Sequence, residues 1–174
     1  MTTSYSAALP IAYVFLRTLI VLNWFFGACI LALLIFSIIN EPFLLRALEL
    51  GSRSENPSLV IGIRAIAALG LLSIPLNHAI LKRLLAMVAT VRAGDPFVAA
   101  NAYRLQAIAW VLLALQILGL IIAAVAKAIS TPEHPLHLDA GFSINGWLAV
   151  LLTFILARVF AEGTLMREDL EGTV

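Results

Sequence analysis

Charge is scarce in this chain. Its 174 residues include only 11 Lys+Arg and 10 Asp+Glu, 12% of the sequence, about half the roughly 25% typical of soluble domains. Too few charges remain to cover a water-facing surface. The net charge is only +1, so no global basic field marks a nucleic-acid binder, and direct contact with nucleic acid is not expected. The single cysteine, Cys29, rules out an internal disulfide and any Cys-rich metal framework. There is no Gly-x-x-x-x-Gly-Lys loop, Gly-x-Ser-x-Gly elbow or His-Glu-x-x-His pair, so the expectation is a protein that is not an enzyme and needs no cofactor. Strands alternating between polar and apolar residues, which a membrane barrel requires, are missing too, as are internal repeats.

What fills the chain is apolar sequence, 62% of it. Four runs are long enough to cross about 30 Å of hydrocarbon, which takes roughly 20 helical residues. They are Ile11 to Ile39, Leu59 to Leu81, Ala107 to Ile129 and Phe142 to Ala161. In hydrocarbon only a helix satisfies the backbone of such a run. The expected fold is therefore a single all-α domain over residues 1–174, an integral membrane four-helix bundle with helical extensions into the cytoplasm. No Lys or Arg precedes Arg17 and the first run far exceeds a signal core, so this run is expected to remain as a span. Cys29 continues into Ile30-Leu31-Ala32-Leu33-Leu34 and reads as a buried small residue.

Orientation follows from where Lys and Arg flank the spans. Lys82, Arg83, Arg92 and Arg104 occupy the second connection, and Arg158 and Arg167 the C-terminal segment. Only Arg46 and Arg53 lie in the first connection, and Lys127 borders the third. Both termini are thus expected in the cytoplasm, with Glu41 to Pro57 and Ser130 to Gly141 outside.

Several helices should outrun the bilayer. In Arg92-Ala93-Gly94-Asp95-Pro96-Phe97, Gly94 suits a left-handed helix end, Asp95 an N-cap and Pro96 a first helical position. Helix two should then reach about Val91 and helix three begin near Pro96, each exceeding 30 residues. Past Ala157, Val159, Phe160, Gly163, Met166 and Leu170 keep helical spacing, while Arg158 with Glu162 and Arg167 with Glu171 stand four apart as surface pairs. The second connection has four basic residues and Asp95, a net +3. Residues 158–174 have two basic and four acidic residues, a net −2. This complementarity predicts that the tail packs against the basic hairpin.

The corner Arg92-Ala93-Gly94-Asp95-Pro96-Phe97, followed by Asn101 and Arg104-Leu105, and the closing segment from Val159 through Glu162-Gly163-Thr164-Leu165-Met166-Arg167-Glu168-Asp169 to Val174, resemble the bacterial membrane family catalogued as domain of unknown function 2975. A Gly-x-Pro-Phe type corner maps onto Gly94, Pro96 and Phe97, and an acidic closing motif onto Gly163, Leu165, Glu168, Asp169, Thr173 and Val174. The resemblance implies a small four-span protein of the bacterial inner membrane, often encoded beside a helix-turn-helix transcription regulator. It implies a regulatory partnership and carries no catalytic residues.

Other polar residues offer weaker chemistry. His134 and His137, with Glu133 and Asp139, are potential zinc or copper ligands, but Pro135 prevents a regular helix from presenting both imidazoles, and a solvated loop is the expectation. His78, next to Asn77 and just after Pro75, is expected to bond a neighbouring helix at a bend. Membrane haem held between helices would need a second axial ligand, and no other span has a histidine. Arg17 and Arg64 lie within apolar runs. Arg64 is placed to snorkel or to pair with Glu41, Glu133 or Asp139, and Arg17 to meet Glu162. Asn23, Gln116 and Asn145 read as interhelical bonding groups, Gly119 and Ala123 as a weak small-residue contact, and Trp24, Trp110 and Trp147 as anchors or packing residues.

The expected function is regulatory: a cytoplasmic face containing Arg92, Gly94, Asp95, Pro96, Phe97, Asn101, Arg104, Glu162, Gly163, Glu168 and Asp169 docks a soluble protein, while the lipid bilayer surrounds the spans and self-association stays open. The alternatives are a small transporter or channel subunit using Arg64, Asn77, His78 and Gln116, and a structural subunit of a larger membrane complex.

Overall fold

The computed structural model describes residues 5–42, 57–130 and 141–171. These residues build four helices: α1 (Tyr5–Ile39), α2 (Pro57–Arg92), α3 (Ala99–Ile129) and α4 (Ile144–Glu171). The fold is an all-α four-helix bundle, and no strand occurs among the described residues. Each helix is long and apolar enough to cross a membrane. At 36 residues α2 measures about 54 Å, well beyond a hydrocarbon core of about 30 Å. Pro57 opens it, a residue whose missing N–H costs nothing in a first turn.

Two compact units divide the chain. One contains residues 1–23, 76–114 and 144–174, and the other residues 24–75 and 115–143. In the second unit glycine permits close packing. A Cβ built on Gly27 of α1 would lie 2.9 Å from Ile74 Cγ2 of α2, and one on Gly62 of α2 would collide with the Ile129 side chain of α3. Leu59 and Val60 are its most enclosed side chains. Small residues that admit a neighbour's branched side chain are how helices gain packing contacts where lipid supplies no hydrophobic drive.

In the first unit α3 buries Asn101, Ala102, Leu105, Ile108 and Ala109, a helical stripe. On α4 the buried residues Val150, Ala157 and Thr164 recur at intervals of seven, the spacing of a packed seam. Trp110 of α3 meets Phe154 of α4 edge to face at 5.3 Å. Large apolar side chains such as Val21, Phe25, Leu33, Ile61, Leu151 and Ile155 are exposed across the helices. That is the surface of a protein solvated by lipid, and the chain is an integral membrane protein. Cys29 belongs to this surface. The expectation of a buried cysteine is corrected, because its neighbour Gly27, rather than Cys29, occupies the close approach to α2.

The long helices run past the apolar boundaries read from the sequence. Relative to those boundaries α2 extends from Leu81 to Arg92, α3 starts at Ala99 instead of Ala107, and α4 continues from Ala161 to Glu171. Helix α2 ends in a two-bond stop. Gly94 has φ +84°, its N–H bonds Val91 O at 3.1 Å, and Asp95 N–H bonds Thr90 O at 3.1 Å. These are the two hydrogen bonds of a Schellman cap, with Gly94 in the left-handed position.

Helix α3 starts at Ala99 rather than near Pro96. Pro96 is held outside the helix because its carbonyl accepts the Asn101 side-chain amide at 2.8 Å, and the first turn closes on Val98 O, bonded by Asn101 N–H at 2.8 Å. Asp95 therefore does not cap α3.

No atom lies within 4 Å of a Cβ built on Gly94, so substitution there tests backbone conformation alone. Gly94→Ala should destabilise the chain by about 1–2 kcal/mol, Gly94→Asn by less, and Gly94→Val by at least as much as Ala. Thermal unfolding of purified protein in mild detergent should rank them in that order. Identical midpoints would show that the left-handed turn does not hold the corner.

Candidate functional site

The polar end of the first unit brings the connection between α2 and α3 against the last turns of α4. At its centre is Asn101, which is fully buried. Its Nδ2 donates to Thr90 Oγ1 at 2.7 Å and to Pro96 O at 2.8 Å, and its Oδ1 accepts from Arg104 Nη1 at 2.7 Å. Thr90 in turn donates its hydroxyl proton to Met87 O at 2.8 Å. Both amide donors are thereby satisfied, and one side chain ties the end of α2, the connection and the start of α3 together.

Tail docking accompanies this network. Phe97 stacks against Phe160 at 5.3 Å between ring centroids, tilted by 33°. Gly163 admits the Phe97 ring, since an added Cβ would sit 3.2 Å from its Cδ1. Arg167 reaches across to pair with Asp95. Thr164 is buried beside them and bonds Phe160 O at 2.9 Å, within its own helix.

The tail thus packs on the hairpin as its charge balance predicts, but this ion pair has the opposite polarity. The basic connection contributes its one acid, Asp95, and the acidic tail contributes Arg167. Arg158 pairs with Glu162 at 2.6 Å, as their spacing predicts. Glu162 is therefore committed to its own helix, which corrects the expectation that it meets Arg17.

Beside this corner a half-open groove of about 410 Å³ runs between α3 and α4, with Ala102, Tyr103, Gln106, Phe154, Ala157 and Arg158 among its walls. Of the residues expected at the face, Arg92, Gly94, Phe97, Glu162 and Asp169 are exposed, Asp95, Pro96, Arg104 and Gly163 are half-buried, and Asn101 is enclosed. Glu168 lies on α4 by its backbone. Sequence reading placed Phe160 on the apolar face of the last helix without a partner and passed over Thr90 and Tyr13, although Tyr13 and Arg17 stand four apart on a helix, a legible signal for contact.

The remaining polar candidates disperse. Arg64, in the second unit, donates Nε to Ser37 Oγ at 3.2 Å and Nη2 to both Ser37 O and Glu41, the latter at 3.2 Å. Glu41, among the partners proposed from sequence, is thus in contact. Asn77 and His78 lie half-buried in α2, in the first unit. Asn145 is exposed in the first turn of α4. Ala123 packs against Gly141, while a Cβ on Gly119 would meet open space. His134, His137, Glu133 and Asp139 lie outside the described residues, and among the described ones no cluster of His, Cys, Asp or Glu is grouped to hold a metal.

Architecture and surface define a class, a four-span α-helical membrane protein. No family model, curated protein or solved structure matches the chain.

The two cleanest ion pairs differ in exposure. Arg64 and Glu41 have side chains 21% and 18% exposed, against 78% and 49% for Arg158 and Glu162. Arg64→Met should cost roughly 1–3 kcal/mol, because it deprives Ser37 and Glu41 of a shared cation in a poorly solvated setting. Arg158→Met should cost under about 1 kcal/mol. Equal losses in thermal midpoint would refute the view that Arg64 fastens α1 to α2.

Proposed function

We propose that the chain is a non-enzymatic regulatory protein of the bacterial inner membrane, with both termini in the cytoplasm, whose cytoplasmic end docks a soluble protein. The observation that carries this reading is the interlock of Asp95 with Arg167 and of Phe97 with Phe160 and Gly163. A solvated helix end needs no such fixation. A surface recognised by a partner benefits from it, because rigidity in the free protein lowers the ordering cost of binding. Around the fixed contacts Arg92, Glu162 and Asp169 are exposed and offer both signs of charge, which favours a protein partner over a purely anionic one. The resemblance to domain of unknown function 2975 suggests a helix-turn-helix regulator as that partner. Its DNA contacts would be its own.

A transporter reading would draw on Arg64, Asn77, His78 and Gln116. Arg64 is committed to Ser37 and Glu41, and the docking reading accounts for more of the geometry.

Orientation is tested with fusions of a reporter active only in the cytoplasm. Activity is expected at Val174 and not within residues 130–141, and the reverse pattern would overturn the assignment. For docking, the full-length chain in mild detergent should retain a stoichiometric soluble partner, identified by mass spectrometry. With that partner purified, Phe97→Ala and Asp169→Lys should each weaken binding about tenfold, roughly 1.4 kcal/mol, while both variants still accumulate in the membrane. Unchanged affinity in both would exclude this face.

A further inference from the structure

Arg17 and Arg92 share one aromatic ring. The guanidinium carbon of each lies 5.3 Å from the Tyr13 ring centroid, Arg17 from one turn along α1 and Arg92 from the last residue of α2. The two cations are therefore at most twice that distance, 10.6 Å, apart.

Every other described arginine has an acceptor within the protein: Arg64, Arg158 and Arg167 meet the carboxylates of Glu41, Glu162 and Asp95, while Arg83 donates to Ala79 O and Arg104 to Asn101 Oδ1. Neither Arg17 nor Arg92 forms an ion pair with a described carboxylate. Both are exposed, whereas Tyr13 is half-buried and holds them in place. Two fixed like charges beside one ring repel each other, and the ring's quadrupole offsets this only in part. An anion bound beside them would relieve the repulsion.

We infer that Arg17, Tyr13 and Arg92 form a binding site for the phosphate of an anionic glycerophospholipid headgroup. Guanidinium groups present the planar fork that binds phosphate oxygens in pairs. The lipid source, rather than a soluble phosphate, follows from the adjoining surface. Ile11, Val14 and Phe15 of the same helix are more than 60% exposed, so an acyl chain has an apolar wall directly beside the cations. Arginine beside tyrosine at the end of an apolar helix also matches the chemistry of the headgroup zone. This inference rests on the membrane assignment; it shares Arg92 with the proposed docking face, and its lipid-binding readout requires no protein partner.

The test titrates the full-length protein, purified in a zwitterionic or non-ionic detergent, with phosphatidylglycerol, phosphatidylcholine or inorganic phosphate, and counts bound lipid by native mass spectrometry. Phosphatidylglycerol should bind at least tenfold more tightly than phosphatidylcholine, and millimolar inorganic phosphate should not displace it. Arg92→Gln should lower the phosphatidylglycerol affinity several-fold, Arg92→Lys should restore part of it, and adding Arg17→Gln should erase the headgroup preference. Arg158→Gln, at an exposed intrahelical pair, should leave it intact. Equal binding of the two lipids, or a preference surviving loss of both arginines, would overturn the site. Displacement by free phosphate would assign the cations to a soluble anion and overturn the lipid.

Discussion

A peptide group in hydrocarbon has no water to bond, and this constraint governs the molecule. Every apolar run must close its own hydrogen bonds, which makes the spans helical whatever the individual propensities of their residues. It also moves the variety of the structure to the places where the chain leaves a helix. Between helices of this kind lipid provides no hydrophobic drive, so association depends on shape, as where Gly27 receives Ile74 and Gly62 receives Ile129, and on polar groups that need partners.

The turn from α2 to α3 shows how the backbone is satisfied once the helix stops. Gly94 and Asp95 return their N–H groups to Val91 and Thr90, and Asn101 supplies a side-chain donor to the Pro96 carbonyl. A fully buried amide with all its donors met makes the corner specific, because any other path of the connection would strand a polar group. The aromatic contact of Phe97 with Phe160 then seats α4 on a surface already set by that network.

Two arrangements of arginine stand at opposite extremes of exposure. Arg64 is half-buried and surrounded by acceptors, as a cation poorly exposed to water must be. Arg17 and Arg92 have water or headgroups available and are gathered by an aromatic face instead. The first arrangement joins two helices, and the second leaves positive charge open to an external anion. The distinction depends on exposure and on the partners within reach, because the side chains are chemically identical.

Local patterns in the sequence determined the class, the number of spans, the overrun of α2, α3 and α4, the helix stop at Gly94 and the pairing of Arg158 with Glu162. The class and the spans depend on continuous apolar runs of about 20 residues, and the others on residues within one or two helical turns, where apolar periodicity or a left-handed glycine acts without reference to the rest of the chain. Tertiary structure decided the others. Asp95 has the composition of an N-cap, yet its carboxylate meets Arg167, 72 residues away, and the helix it was expected to cap begins at Ala99 because Asn101 holds the Pro96 carbonyl. Complementary net charge predicted that the tail docks but assigned the acid and the base to the wrong partners, since net charge carries no information about which side chain faces which. Cys29 is exposed and Gly27 enclosed because the rotation of α1 against α2 is set by which residue leaves room for Ile74. That choice depends on the shapes of two helices at once, and neither sequence segment contains it alone.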